Sequence, residues 1–228
     1  MARGNKFEIV PFYQTQEIRM YLSDTRIRKY CMKDKPLIEN FISEEVREVN
    51  GEKVISYGLN ANSYDIRLAE DARLFREHHE YSLNPKRLEE GYLEPNFVHV
   101  NKTKFTGKDS AYIILPAKGF LLAHSVEKFN IPYNMTGFLY CKSTYARLGM
   151  NMAPTVLKSG WSGQLVLEIY NQTNNDLVLY VGEGIGTIYF AEHESDSELR
   201  YKGLYQGQSG VTVARQWNWL TVLRRARQ

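Results

Sequence analysis

Gly160-Trp161-Ser162-Gly163, followed by Gln164-Leu165-Val166-Leu167-Glu168-Ile169-Tyr170-Asn171, is the stretch that decides the fold. The two glycines bracket a tight turn. From Gln164 the chain alternates. Leu165, Leu167 and Ile169 face one side; Val166, Glu168 and Tyr170 face the other. A period of two with one apolar set predicts a strand lying on a core. A lone strand glutamate usually faces solvent. Glu168, flanked by Val166 and Tyr170, instead falls on a partly apolar face, where burial raises a carboxyl pKa towards neutrality and suits it to general acid–base work.

Working outward, similar runs rich in Val, Ile, Tyr and Phe recur, each closed by Gly, Asn, Asp or Pro. They predict strands at Val54–Tyr57, Tyr64–Leu68, Tyr112–Leu115, Phe120–Ala123, Gly137–Lys142, Leu177–Val181 and Thr187–Phe190. One helix is predicted near the start. Ser23 is its N-cap, Asp24 lies in its first turn, and Leu22 and Ile27 have hydrophobic-staple spacing. Ile27, Tyr30 and Cys31 make its apolar face. The stretch from His78 to about Lys108 is polar and aperiodic and reads as a long loop. Many short strands and few helical stretches predict a mainly β fold, a distorted antiparallel β-barrel or jelly roll. Residues 1–19 read as an extension, 20–200 as the barrel, and 201–228 as a C-terminal tail.

The chain has 228 residues, of which 43% are hydrophobic and 24% charged, enough for a sizeable core. Lys and Arg number 29 against 26 Asp and Glu, a net charge of +3 that leaves no footprint for duplex nucleic acid. Two cysteines, Cys31 and Cys141, make neither a disulfide framework nor a zinc cage and read as free thiols of a reducing compartment. No apolar run is long enough to span a bilayer, and no apolar segment follows the first residues as in a secretory signal. A cytoplasmic protein without membrane or nucleic-acid partners is expected.

Several motifs are missing. There is no P-loop and no G-x-S-x-G. Gly182, Gly184 and Gly186 read as a turn between strands. His78–Glu80 gives an H-x-E triplet without the P-C-x-x-C that zinc deaminases need, so it reads as solvated loop. The block Lys142-Ser143-Thr144-Tyr145-Ala146-Arg147-Leu148-Gly149 carries more. Ser143 and Arg147, four apart, share a face if one helical turn stops at Gly149. That turn, with Lys142 and the Ser143 and Thr144 hydroxyls, offers a polyphosphate site. From this block alone, a capped turn with solvated charges is the simpler reading.

Taken together, the motifs resemble the dCTP deaminase/dUTPase superfamily, in its dCTP deaminase branch. The resemblance runs through Met20–Tyr30, Asn62–Leu68, Gly119–His124, Ile131-Pro132, Lys142–Gly149, Gly160–Gly163, Val166–Asn171 and Tyr205-Gln-Gly-Gln-Ser-Gly210. It implies a dUTPase-like barrel, a homotrimer with sites at subunit interfaces, and hydrolytic deamination of dCTP to dUTP and ammonia. Zinc is not required; Mg2+ arrives on the triphosphate. Glu168 matches the family's catalytic glutamate, and Ser143 and Arg147 match residues holding the nucleotide or the catalytic water. Lys142, Thr144, Val166, Lys158, Tyr201, Lys202 and Gln208 fall at substrate-binding positions.

The sequence also departs from that pattern. Lys158 stands where many relatives carry Asp, which counts against the alternative of a dUTP diphosphatase or a bifunctional enzyme. Lys142 replaces an arginine, losing its fork, and Leu204 stands where a lysine is common, with Lys202 as a substitute. A non-catalytic nucleotide-binding regulator is the reading from another class. Asp65 is expected in a structural salt bridge with Arg67 or a neighbour. His124 is expected to be packed. Trp217 and Trp219 read as a short surface strand, and Arg224, Arg225 and Arg227 as a solvated end.

Overall fold

A computed structural model describes residues 21–75, 83–86, 96–97, 101–104 and 109–215. The extension 1–19, the H-x-E triplet, Trp217, Trp219 and the basic end lie outside the described residues.

In chain order the elements are α1 (Asp24–Cys31), β1 (Ile38–Glu39), β2 (Glu45–Val49), β3 (Glu52–Leu59), β4 (Tyr64–Leu74), β5 (Asn96–Phe97), β6 (Asn101–Lys104) and β7 (Asp109–Leu115). They continue with β8 (Phe120–Asn130), β9 (Met135–Cys141), α2 (Ser143–Ala146), β10 (Met150–Met152), β11 (Thr155–Leu157), β12 (Ser162–Asn171), β13 (Leu177–Tyr180) and β14 (Gly184–Glu192). The main sheet runs β10-β12-β8-β4-β14-β9-β11, every pair antiparallel. A small sheet of β13, β7 and β6 stands beside it.

The main sheet curls because β4 serves two neighbours in turn. Its first half, Tyr64–Arg67, pairs with β14. From Leu68 onward it pairs with β8, with a register break between Leu68 and Ala72. A bulge bends and twists its strand, and here it turns the sheet into a half-barrel wall. Leu165, Leu167 and Ile169 of β12 all point into the core, as the alternation predicts. They meet Ile66, Leu121, Ile188 and Phe190 there.

All eight predicted strands are present. β8 runs well past Ala123, through Glu127 and Lys128, which break the apolar pattern. Glu127 is fully buried, and its charge is met by Arg67, whose Nε donates at 2.7 Å and whose backbone N–H donates at 2.9 Å. A buried ion pair thus hides a strand from hydropathy. Asp65 pairs elsewhere, as described below. The stretch from His78 to Lys108 is not loop throughout: β5 pairs with β4, and β6 with β7.

α1 starts where expected, with Leu22 and Ile27 buried. The Ser23 side chain makes no capping bond. The first-turn N–H of Asp24 is met instead by the Ala61 carbonyl at 2.9 Å. Arg26 and Tyr30 both donate to Glu192, which pins α1 to the end of β14. His124 is packed, its Nδ1 3.0 Å from the Ser125 carbonyl.

Candidate active site

β12 places Glu168 between two cross-strand rows. Glu168 lies opposite Leu122 of β8, Val166 opposite His124, and Tyr170 opposite Phe120. The face is therefore largely apolar. It forms one wall of a cavity of about 560 Å3. Leu122, Leu165, Val166 and Trp161 supply apolar wall; Glu168 and Lys158 are the charged side chains among its lining residues. Burial pushes the Glu168 carboxyl up from the ordinary carboxylate range, offset in part by a backbone N–H.

The turn before β12 seats the tail across this cavity. Gly160 has φ +78° and Gly163 φ +145°, and a Cβ on Gly163 would stand 2.8 Å from the Gln208 carbonyl oxygen. Only glycine lets the tail approach so closely. Gln164 N–H donates to the Gln208 carbonyl and the Gln208 side-chain amide donates to the Gln164 carbonyl, both at 2.9 Å. The Trp161 indole N–H donates to the Tyr205 carbonyl at 2.9 Å. Tyr201, Tyr205 and Gln208 thereby line the cavity.

α2 builds a second place. Arg147 N–H donates to the Ser143 carbonyl at 3.0 Å, and Gly149, at φ +87°, ends the turn. Tyr145 is buried and its hydroxyl accepts the Tyr180 N–H at 3.1 Å, which anchors the turn. Ser143, Thr144 and Arg147 are exposed. Lys142 is not a free cation. It is buried, with Nζ 2.5 Å from Asp65 Oδ2. Asp65 also accepts from Thr187 and Asn60. Lys142, Ser143 and Thr144 line a separate cavity of about 660 Å3 beside Asp65 and Thr187.

The structure thus sorts the residues singled out in the sequence into groups. Glu168, Val166, Lys158, Tyr201 and Gln208 share one cavity. Lys142, Ser143 and Thr144 share another. Arg147 lines neither. Lys202 lies in a groove with Lys158 and Tyr201. Sequence reasoning missed Arg200, which lines that same groove. It sits in an acidic, aperiodic segment that gives no local signal. Among the described residues, no three His, Cys, Asp or Glu side chains are grouped to hold a metal ion, and no helix is long and apolar enough to cross a membrane.

A family model described as dCTP deaminase-like matches residues 21–193. The chain belongs to this family. The dCTP deaminase of Azotobacter vinelandii is 36% identical over 194 residues, covering 84% of this chain and 96% of that protein. The dCTP deaminase of Acinetobacter baumannii strain AYE is 36% identical over 195 residues, with the same coverage of 84% and 96%. Among solved structures, the 2'-deoxycytidine 5'-triphosphate deaminase of Agrobacterium tumefaciens superposes with a TM-score of 0.52 at 19% identity. That match covers 77% of this chain and 48% of the other, so the chain spans about half of that structure's chain, and it shows the fold alone. The dCTP deaminase-like match takes in both α2 and β12. It ends before Arg200, Tyr201, Lys202 and Gln208.

Proposed function

We propose that the chain hydrolyses dCTP to dUTP and ammonia. One observation carries the reading: Glu168 is the carboxylate on the wall of a largely apolar cavity, its pKa raised by burial, in a chain of the dCTP deaminase-like family. C4 of cytosine is a neutral amidine-like carbon, and hydrolysis there needs a positioned water and a proton shuttle. Glu168 takes one proton from the attacking water and delivers it to the ring nitrogen N3. It then carries the second, from the new hydroxyl, to the exocyclic amine. Ammonia leaves, and C4 keeps the oxygen as a carbonyl. A carboxyl whose pKa is raised by burial serves both transfers. Glu168 thus activates the attacking water, the work that the zinc ion does in zinc deaminases. Mg2+ enters as part of the substrate, on the triphosphate.

Ser143 and Arg147 hold the nucleotide or its water from a second copy of the chain. The separation of the two residue groups supports this. A heterologous interface in a closed ring sets one patch of each subunit against a different patch of the next, so a homotrimer supplies both halves to every site. Leu148, next to Arg147, and Val156 and Tyr170, near Glu168, are exposed apolar side chains that such an interface covers. The two half-buried free thiols fit a cytoplasmic setting. Hydrolysis of dUTP is not favoured, since both named relatives are dCTP deaminases.

The test is direct. Purified protein with magnesium is incubated separately with dCTP, dUTP, dCMP and CTP, and the products are resolved by chromatography. dUTP is expected from dCTP. Unchanged dCTP overturns the reading, and dUMP and pyrophosphate appearing from dUTP overturn the inference drawn from Lys158 against dUTP hydrolysis.

A further inference from the structure

Across residues 143–148, Tyr145 is buried, while Ser143, Thr144, Ala146, Arg147 and Leu148 are exposed. A single helical turn has no stability of its own. The direction in which its exposed side chains project is set by whatever holds it. Backbone bonds fix the two ends. Lys142 N–H donates to the Ile185 carbonyl at 3.2 Å, and the Gly149 carbonyl accepts from Gln172 N–H at 3.0 Å. The Lys142 side chain does not cap the turn; it is turned to Asp65. Between these ends, the buried side chain is that of Tyr145.

Its ring belongs to the main core and is only 2% exposed. The hydroxyl reaches further, to accept Tyr180 N–H at 3.1 Å. β13 is an edge strand of the small sheet, ordered β13-β7-β6. An edge strand presents a row of backbone groups without a strand partner. Tyr180 ends β13 opposite Tyr112 of β7, and the next N–H, of Val181, donates to the Ala111 carbonyl at 2.8 Å. The hydroxyl thus ties α2 to a different sheet from the one that carries Glu168. A phenylalanine would fill the same space and leave Tyr180 N–H without this acceptor.

Helix geometry turns this tie into an aim. Successive residues lie about 100° apart around a helix, so the residues two before and two after a given one both lie roughly 200° from it, on the opposite face. Arg147, at φ −68° and ψ −19°, still follows the helical path. Ser143 and Arg147 therefore project together from the face opposite Tyr145. Rocking of the turn about its two ends would swing both side chains, and the Tyr145 hydroxyl holds its middle.

We propose that Tyr145 is a positioning residue, whose hydroxyl bond to β13 sets the direction in which Ser143 and Arg147 project. The proposal rests on the reading above that these two residues hold the nucleotide or its water. It goes beyond that reading by giving the small sheet a part in shaping the site.

Tyr145→Phe removes the hydroxyl and keeps the ring. It is expected to lower kcat/KM for dCTP about tenfold, the order of one buried hydrogen bond. A double-mutant cycle shows whether the loss runs through the arginine. Arg147→Lys keeps the charge without the planar fork and is expected to retain measurable turnover. In that background Tyr145→Phe should cost no more than about threefold, because a point charge depends less on aim than a fork does. Hydrogen exchange gives a second readout that needs no turnover. The amides of Arg147 and Gly149, which donate to the Ser143 and Ala146 carbonyls, should exchange faster in Tyr145→Phe. Those of residues 165–169 in β12 should keep their protection, which guards against a general folding defect. Unchanged kcat/KM, the same tenfold loss in both backgrounds, or unchanged exchange at Arg147 and Gly149 overturns the proposal. If the wild-type protein does not deaminate dCTP, the proposed reaction fails; faster exchange in Tyr145→Phe then still upholds the tie, and unchanged exchange overturns it.

Discussion

In the proposed reaction Glu168 draws on the same burial that makes it a poor choice for stability. Its carboxyl is raised by desolvation. A carboxyl raised in the folded state stabilises below its unfolded pKa, and that contribution is lost as pH rises through the folded value. At neutral pH the ionised group therefore costs stability. Glu168→Gln should melt at a higher temperature than wild type at pH 7, with the gap closing as pH falls towards 4. The same substitution should lower dCTP turnover by about 10²- to 10⁴-fold, the range for loss of a general acid–base. Thermal melts across pH, paired with rate measurements, check both. Retained turnover would remove Glu168 from the chemistry. The alternation of residues 164–171 made this glutamate legible in the sequence. Lys142 was less so. Read as a nucleotide ligand, it is buried against Asp65, which is 77 residues away in the chain. No local pattern announces a partner at that distance.

At the scale of elements, the turn before β12 and the tail act as one unit. The tail lies across Ser162–Gln164 through a parallel bridge from Gly163 to Gln208. Gly163→Ala would drive a Cβ to 2.8 Å from the Gln208 carbonyl oxygen at a backbone φ that L side chains rarely adopt. The tail should lift. Limited proteolysis is expected to cut after Tyr201 sooner than in wild type, with KM for dCTP raised roughly tenfold, the size of one charge-assisted hydrogen bond lost. An unchanged cleavage rate would show that the strap does not depend on this approach. The strands were legible wherever apolar residues alternate, as in β12 and β13. They were hidden where charge is buried in mid-strand, as at Glu127 of β8. The short strands β1, β2, β5, β6, β10 and β11 were also missed, since pairing rather than composition defines them.

At the scale of the whole molecule, the separation of α2 from the Glu168 cavity matters most. One chain presents two halves on different parts of its surface. Nothing in composition, period or spacing foretells this arrangement; the expectation of a trimer came from resemblance alone. If the halves meet between copies, two inactive variants can repair each other. Glu168→Gln lacks the shuttle but keeps Arg147. Arg147→Gln lacks the arginine but keeps the shuttle. In a ring assembled at random from equal amounts, about a quarter of the interfaces pair two intact halves. The decisive measurement is dUTP formation from dCTP by the two variants, each alone and then co-expressed with different tags and purified as mixed oligomers. The expected result is near silence from each variant and about a quarter of wild-type activity from the mixture. Silence from mixed oligomers, or full activity from Arg147→Gln alone, would contradict a deaminase site shared between chains.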